Sequence, residues 1–166
     1  MSAATQIRRL TRYSAWANAR LFQAVSELPE GVATAARPTL FGNMVHTLNH
    51  AYVVDQIWQA HLEGRPHGFT ALNTKEPTPL AQLRQAQALM DQWYVAYADA
   101  LPEDAHAEVV AFRFVDGGPG AMSRADILLH VVNHKTYHRG WVADLFFQAG
   151  ARPPSMDLPV YLRQAG

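Results

Sequence analysis

The sequence contains no cysteine among its 166 residues. This absence excludes disulfide bonds, cysteine nucleophiles and thiolate metal ligands. An excess of charge of either sign is also missing, because lysine plus arginine and aspartate plus glutamate each total 14 and the pI is about 7.1. A balanced chain of this kind lacks the basic surface that binds nucleic acids and anionic membranes, so we expect neither as a partner.

Long apolar runs are absent as well. No run approaches the length that crosses a membrane, and the polar N-terminus, with Arg8, Arg9 and Arg12, is not followed by an apolar stretch of the signal-peptide type. We therefore expect a cytoplasmic protein. Apolar residues still make up 49% of the chain, which is typical of a globular domain. At this length, residues 1–166 are predicted to form a single domain with a substantial core.

Apolar residues recur at helical spacing in four segments. The predicted helices cover about 7–28, 40–62, 79–101 and 124–149. Their predicted N-caps, where the sequence offers one, are Thr39, Thr78 and Ser123, the last with Asp126 three residues on. Four long helices of this kind predict an all-α fold, a four-helix bundle with long connections.

A short segment before the last helix has a different pattern. Residues 107–116 alternate in the manner of a strand, and Gly117-Gly118-Pro119-Gly120 supplies a turn. We therefore predict a short β-hairpin before the fourth helix. The tail, 151–166, is expected to pack through Leu158, Tyr161 and Leu162.

The fourth helix carries two histidines, His134 and His138, in the middle of its apolar stripe. Residues four apart lie on the same helical face, so both imidazoles can point toward one ion. Polar groups at core positions are costly unless they have partners. A bound metal would supply one, and hydrogen bonds within the core are the alternative.

A third ligand must come from a facing helix. The second helix offers His50 near its middle, at a depth comparable with His134 and His138, and His46 one turn earlier as the reserve. His130 lies further around the fourth helix and is expected to pack or to hydrogen-bond a ligand. The remaining histidines, near helix ends or in loops, are expected to be solvated: His61, His67 and His106.

Other chemical patterns are weaker. The E-x-x-H spacing at 103–106 stands alone and lacks the further glutamates of a di-iron bundle. No G-x-S-x-G motif or Gly-rich phosphate loop is present. Asn18 is interpreted as an amide at the surface edge of the first helix.

Three segments carry a family resemblance. They are YSAWAN at 13–18, LNH at 48–50 followed by Asp55 and Trp58, and NHKTYHRG at 133–140. In this order they resemble the DinB/YfiT-like family, damage-inducible metal-binding four-helix bundles, over nearly the whole chain. The resemblance implies a divalent metal ion (Zn, Ni or Fe) bound by His50, His134 and His138. Tyr137 and Trp141 depart from the family pattern, which often has histidine and glutamine there, and they alter the polarity around the open coordination position.

The resemblance also implies a function. Some members are thiol-dependent transferases or isomerases that use bacillithiol or mycothiol, so we expect a metal-dependent thiol S-transferase or a related hydrolase acting on a small-molecule or thiol substrate. Three protein ligands leave a coordination position open, which is the catalytic arrangement. The alternative is a non-enzymatic, stress-related metal-binding bundle. Relatives further suggest a homodimer.

Overall fold

The computed structural model describes residues 2–165 and confirms the predicted helical bundle with a hairpin before its last long helix. The elements are α1 (Ala3–Ser26), α2 (Met44–Leu62), α3 (Leu80–Ala100), a short 3-10 helix (Asp104–Ala107), β1 (Val109–Arg113), β2 (Pro119–Ser123), α4 (Arg124–Gln148) and α5 (Leu158–Ala165). Helix α4 packs against α1 and α2, and α3 packs against the same two helices. No helix in the described part of the chain is long and apolar enough to cross a membrane.

The helix starts follow local hydrogen bonding. Ser123 caps α4 as predicted, and its hydroxyl accepts the Asp126 N–H (3.0 Å). Helix α2, however, starts later than predicted, and its cap is Asn43 rather than Thr39. Gly42 adopts a φ of 77°, a left-handed conformation that interrupts any helix before it.

The start of α3 also differs from the prediction. Thr78 does not cap this helix, which begins at Leu80 without a side-chain cap. The Thr78 N–H instead donates to Oδ1 of Asn49 on α2 (2.9 Å), so this residue joins the loop to a neighbouring helix.

The hairpin closes one end of the core. Strands β1 and β2 are antiparallel, with Phe112 opposite Gly120. The Phe112 ring lies edge-on against Trp58 of α2, with ring centroids 4.9 Å apart. A side chain at Gly120 would place its Cβ 2.4 Å from the Phe112 ring, so only glycine allows the ring to lie there.

The C-terminal tail forms the additional short helix α5, which the sequence did not predict. Tyr161 packs as expected, against Tyr13 and Trp16 of α1, with centroids 5.9 and 5.6 Å away. Leu162 was expected to pack as well, but it is 41% exposed because it lies on the outer side of this helix.

Candidate metal centre

Three histidines meet where α2 faces α4. One nitrogen from each of His50, His134 and His138 lies within 4.8 Å of the others, and no other group of three or more potential ligands meets this criterion within residues 2–165. The Nε2 atoms of His134 and His138 are 3.1 Å apart. Two imidazole ligands on a tetrahedral ion would be separated by about 3.3 Å, so this pair fits a shared ion.

A backbone carbonyl orients the His50 ring. The carbonyl oxygen of Leu72 lies 2.7 Å from His50 Nδ1. Because a carbonyl can only accept, Nδ1 must carry the proton, and Nε2 keeps its lone pair for a ligand. This is the arrangement by which an outer hydrogen bond sets the tautomer of a metal-binding histidine.

The other two rings are less completely satisfied. Nδ1 of His134 and Nδ1 of His138 are buried and hydrogen-bond to no group within residues 2–165. Without an ion, one Nε2 must donate its proton to the other across the 3.1 Å contact. A shared ion would instead accept a lone pair from both atoms.

Burial keeps the cluster neutral. It lowers the pKa of His134 to about 3, with a further contribution from the nearby His138 and His50 rings. Burial, followed by the proximity of His50, lowers the pKa of His138 to about 4. The pKa of His50 is also lowered by burial. Neutral imidazole is the form that coordinates a metal, so the surroundings favour the binding form.

Aromatic side chains border the cluster. Phe41 stacks on His50 with centroids 4.4 Å apart, and the Trp141 ring lies edge-on to His138 at 4.9 Å. Tyr137 contacts both His138 and Trp141 but is largely exposed. The two departures from the family pattern thus make this border more aromatic.

The remaining histidines have other roles. His46, the reserve ligand, lies outside the cluster, and its Nε2 is 3.2 Å from the Thr74 carbonyl oxygen. His130 packs on Trp58 as expected, with centroids 4.8 Å apart.

The prediction that His61 and His106 are solvated is wrong, because they are only 8% and 6% exposed. His106 Nδ1 donates to the Pro102 carbonyl oxygen (2.8 Å), so the histidine of the E-x-x-H pattern has a structural contact.

A buried charge cluster lies on the neighbouring face of α4, and sequence reasoning missed it. The Lys135 ammonium is 2.9 Å from Asp55 of α2 and 2.6 Å from Asp91 of α3. All three side chains are buried. Burial raises the pKa of Asp55 to about 6 against the opposing effect of Lys135. Burial also opposes the charge of Lys135, yet the two carboxylates hold its pKa above the ordinary value.

Arg139 extends this cluster to α1. Its Nη1 donates to Asn18 Oδ1 (2.9 Å) and Ser14 Oγ (3.2 Å). Asn18, interpreted from the sequence as a surface amide, is therefore buried, and its Nδ2 donates to Asp91 (3.0 Å). Lys135 and Arg139 each follow a candidate ligand by one residue, so their contacts with α1, α2 and α3 hold α4 in the rotation that directs His134 and His138 toward His50. The one signal for this cluster in the sequence was Asp55, a charged residue placed at helical core spacing between Ala51 and Trp58.

The sequence is similar to known proteins over nearly its whole length. The chain is similar to Protein DinB of Bacillus subtilis (strain 168), at 26% identity over 160 residues that cover 93% of this chain and 92% of that protein. The model of the DinB family matches residues 1–166. The chain therefore belongs to the DinB family.

Proposed function

We propose that His50, His134 and His138 together bind one divalent metal ion. The observation that carries this proposal is the convergence of three imidazole nitrogens within 4.8 Å of one another, on two buried histidines and one partly buried histidine. The donor set is chemically suitable, since three neutral imidazoles suit zinc, nickel and iron. The Leu72 carbonyl supports the proposal further, because it leaves the His50 Nε2 lone pair available.

We further propose that the ion serves a metal-dependent thiol S-transferase of the bacillithiol or mycothiol type, with hydrolysis as the related activity. A bound divalent ion with an open position would supply Lewis acidity, under which a thiol loses its proton. In the transfer, the thiol sulfur forms a bond to an electrophilic carbon, the leaving group departs with its electron pair, and the thiol proton passes to solvent.

The residues around the cluster contribute orientation and exclusion of water. Phe41 and Trp141 cover one side of the imidazoles with aromatic surface. Lys135 and Arg139 hold α4 in its rotation through buried contacts. An apolar border would weaken competition from water at the open position and favour a soft sulfur ligand.

Metal analysis tests the binding proposal. Protein purified without a histidine tag is compared with His138→Ala and with His46→Ala, which removes a histidine from the same region but outside the cluster. We expect about one ion per chain in the wild type and in His46→Ala, and a large loss in His138→Ala. Negligible metal in all three proteins, or equal loss in both variants, would contradict the proposal.

A non-enzymatic metal-binding bundle is the second candidate. The face-on contact of Phe41 with His50 favours it, because an aromatic cover can close a site as well as line one. Conjugation of an electrophile to bacillithiol and to mycothiol by the metal-loaded protein separates the candidates. Turnover that disappears in His138→Ala supports the transferase, and inactivity with both thiols supports the second candidate.

The homodimer suggested by relatives is also a proposal. Sedimentation velocity of the untagged protein tests it, with a dimer mass expected over the micromolar range. A monomer mass at all concentrations would exclude it.

A further inference from the structure

A second concave site lies where α2 ends. It is a depression of about 460 Å³ between the last turn of α2, the loop that follows and strand β1. Among residues 2–165, no carboxylate lines it. Four side chains that can donate hydrogen bonds do: His61, Arg65, His67 and Arg113. A volume of this order accommodates a small molecule.

His61 lines this depression, and its ring has no hydrogen-bonding partner in the described part of the chain. Its ring stacks on Phe112 (centroids 4.9 Å apart) and lies edge-on to Trp58 (5.3 Å) and His67 (5.4 Å). These contacts are aromatic, and within residues 2–165 the ring takes part in no hydrogen bond although it is only 8% exposed. The ring nitrogens are not sealed from solvent, so a ligand in the depression can reach the hydrogen-bonding position that no protein group within residues 2–165 occupies.

His67 presents a donor. Its Nδ1 accepts the N–H of Phe69 (3.0 Å), so Nδ1 holds a lone pair and the ring proton is on Nε2. The Nε2–H group is then a donor with no protein acceptor within the described residues. This tautomer also argues against a metal ion held by His61 and His67, because neither His67 nitrogen offers a free lone pair.

The two arginines add positive charge. Arg113 Nη1 donates to the Gly117 carbonyl oxygen (3.0 Å), and no carboxylate in the described residues forms a salt bridge with this guanidinium. Arg65 pairs with Glu63, which offsets its charge but leaves guanidinium N–H groups unused. The depression therefore combines one uncompensated cation with several donors.

The negative end of the α2 dipole would oppose an anion here. Each of the last four carbonyls of α2 is nevertheless hydrogen-bonded. Three accept backbone N–H groups of residues 63–65, and the Leu62 carbonyl accepts Nη1 of Arg124 (3.3 Å). Because these carbonyls are already hydrogen-bonded, one of them to a positively charged guanidinium, the negative end of the helix dipole repels an anion here less strongly.

We propose that this depression binds a small oxyanion, the phosphate or carboxylate group of a small molecule. The N–H groups of His61, His67 and Arg113 donate to its oxygens, and the guanidinium balances its charge. The site is separate from the histidine cluster, because His61 follows His50 by about three helical turns, or about 16 Å along the axis. The proposal does not depend on metal binding.

Residue-resolved NMR of the histidine rings tests this proposal. Protein with ¹⁵N-labelled histidine is titrated with sodium phosphate and, separately, with sodium acetate, at constant ionic strength maintained with sodium chloride. We expect saturable shifts of the His61 and His67 ring signals with at least one of the two anions, which also identifies the preferred group. The His106 ring, bonded to Pro102, is the internal control and should not shift. Phosphate that binds a metal at the histidine cluster would instead shift His134 and His138.

Two variants assign the effect to the depression. Arg113→Gln should weaken binding by about fivefold, since it removes a charge-assisted donor. The matched control is Arg152→Gln, which removes an exposed arginine outside the depression and should retain wild-type affinity. His61→Phe keeps the stacking on Phe112 and should also weaken binding. Shifts that do not saturate with either anion, or equal affinity in Arg113→Gln and Arg152→Gln, would overturn the proposal.

Discussion

In the folded protein the imidazoles of the histidine cluster stay neutral at mildly acidic pH, whereas in the unfolded chain they become protonated. In the fold, burial lowers the pKa of His134 to about 3 and that of His138 to about 4, against an ordinary value of 6.5. Between these values the unfolded state binds more protons than the folded state. Lowering the pH therefore destabilises the folded state through these two histidines.

The metal-free protein should accordingly lose stability as the pH falls from 7 toward 4. One imidazole that takes up its proton only on unfolding costs about 2 kcal/mol at pH 5. Asp55 acts in the opposite direction, because its pKa is raised to about 6 and its protonation in the fold stabilises the folded state as the pH falls. Urea unfolding of wild type and His134→Gln between pH 7 and pH 4.5, with chelator present, isolates the histidine contribution. We expect a steeper decline in the wild type, and parallel curves would show that His134 is not held neutral.

At the scale of the element, α4 carries two pairs of functional residues, and each residue of the second pair directly follows one of the first. His134 and His138 face α2, while Lys135 and Arg139 enter the polar interior between the helices. A single rotation of the helix sets both faces. Loss of the charge contacts should therefore disturb the ligand positions as well as stability.

Lys135→Met should be strongly destabilising. It leaves Asp55 and Asp91 buried without their ammonium partner, a change that typically costs about 3–5 kcal/mol. The double variant Asp55→Asn/Lys135→Met removes one charge of each sign, leaves Asp91 hydrogen-bonded to Asn18 and Gln87, and should be more stable than the single variant. Chemical denaturation at pH 7 measures both. A double variant less stable than Lys135→Met would show that the loss of charge pairing does not explain the instability of the single variant.

Substitution of glycine by alanine should change stability in opposite directions in the hairpin and in helix α4. Gly120→Ala should destabilise the fold by about 1–3 kcal/mol, because its Cβ would lie 2.4 Å from the Phe112 ring. Gly140→Ala is the matched control on α4, where nothing lies within 4 Å of the added Cβ. It should stabilise the fold by about 0.5–1 kcal/mol through helix propensity. Thermal unfolding measures both, and equal effects would contradict the close packing of Phe112.

At the scale of the whole molecule, the proposed ion would join α2 to α4 and couple metal binding to global stability. An ion at about 100 times its dissociation constant adds about 2.7 kcal/mol to the folded state. For a domain of this size, chelation should then lower the Tm by about 5–10 °C. Calorimetry with and without chelator checks this, with His138→Ala as the control that should not respond. An equal response in both proteins would place the stabilising ion elsewhere.

Local pattern sufficed to predict much of the fold and of the candidate site. The apolar periodicity indicated the four long helices, and the alternation at 107–116 with its glycines indicated the hairpin. The four-residue spacing of His134 and His138, with His50 at similar depth on a facing helix, predicted that the three rings would meet. Whether they bind metal stays a prediction.

Helix starts and the tail were less predictable. Asn43 caps α2 because Gly42 turns the chain into a left-handed conformation, and several residues in that region could have served as the cap. The tail forms α5 on the surface of α1, where contacts with Tyr13 and Trp16 stabilise a segment rich in proline. The packing of the tail therefore depends on neighbours that are distant in sequence.

The sequence by itself determined which residues share a helical face, because that follows from the repeat of a single helix. Only the tertiary structure decided which polar residues are buried and with whom. Asp55, Asp91 and Lys135 come from three different helices, and their pairing depends on how those helices pack against one another. His61 faces a depression for the same reason, since strand β1, distant in sequence, forms the opposite wall.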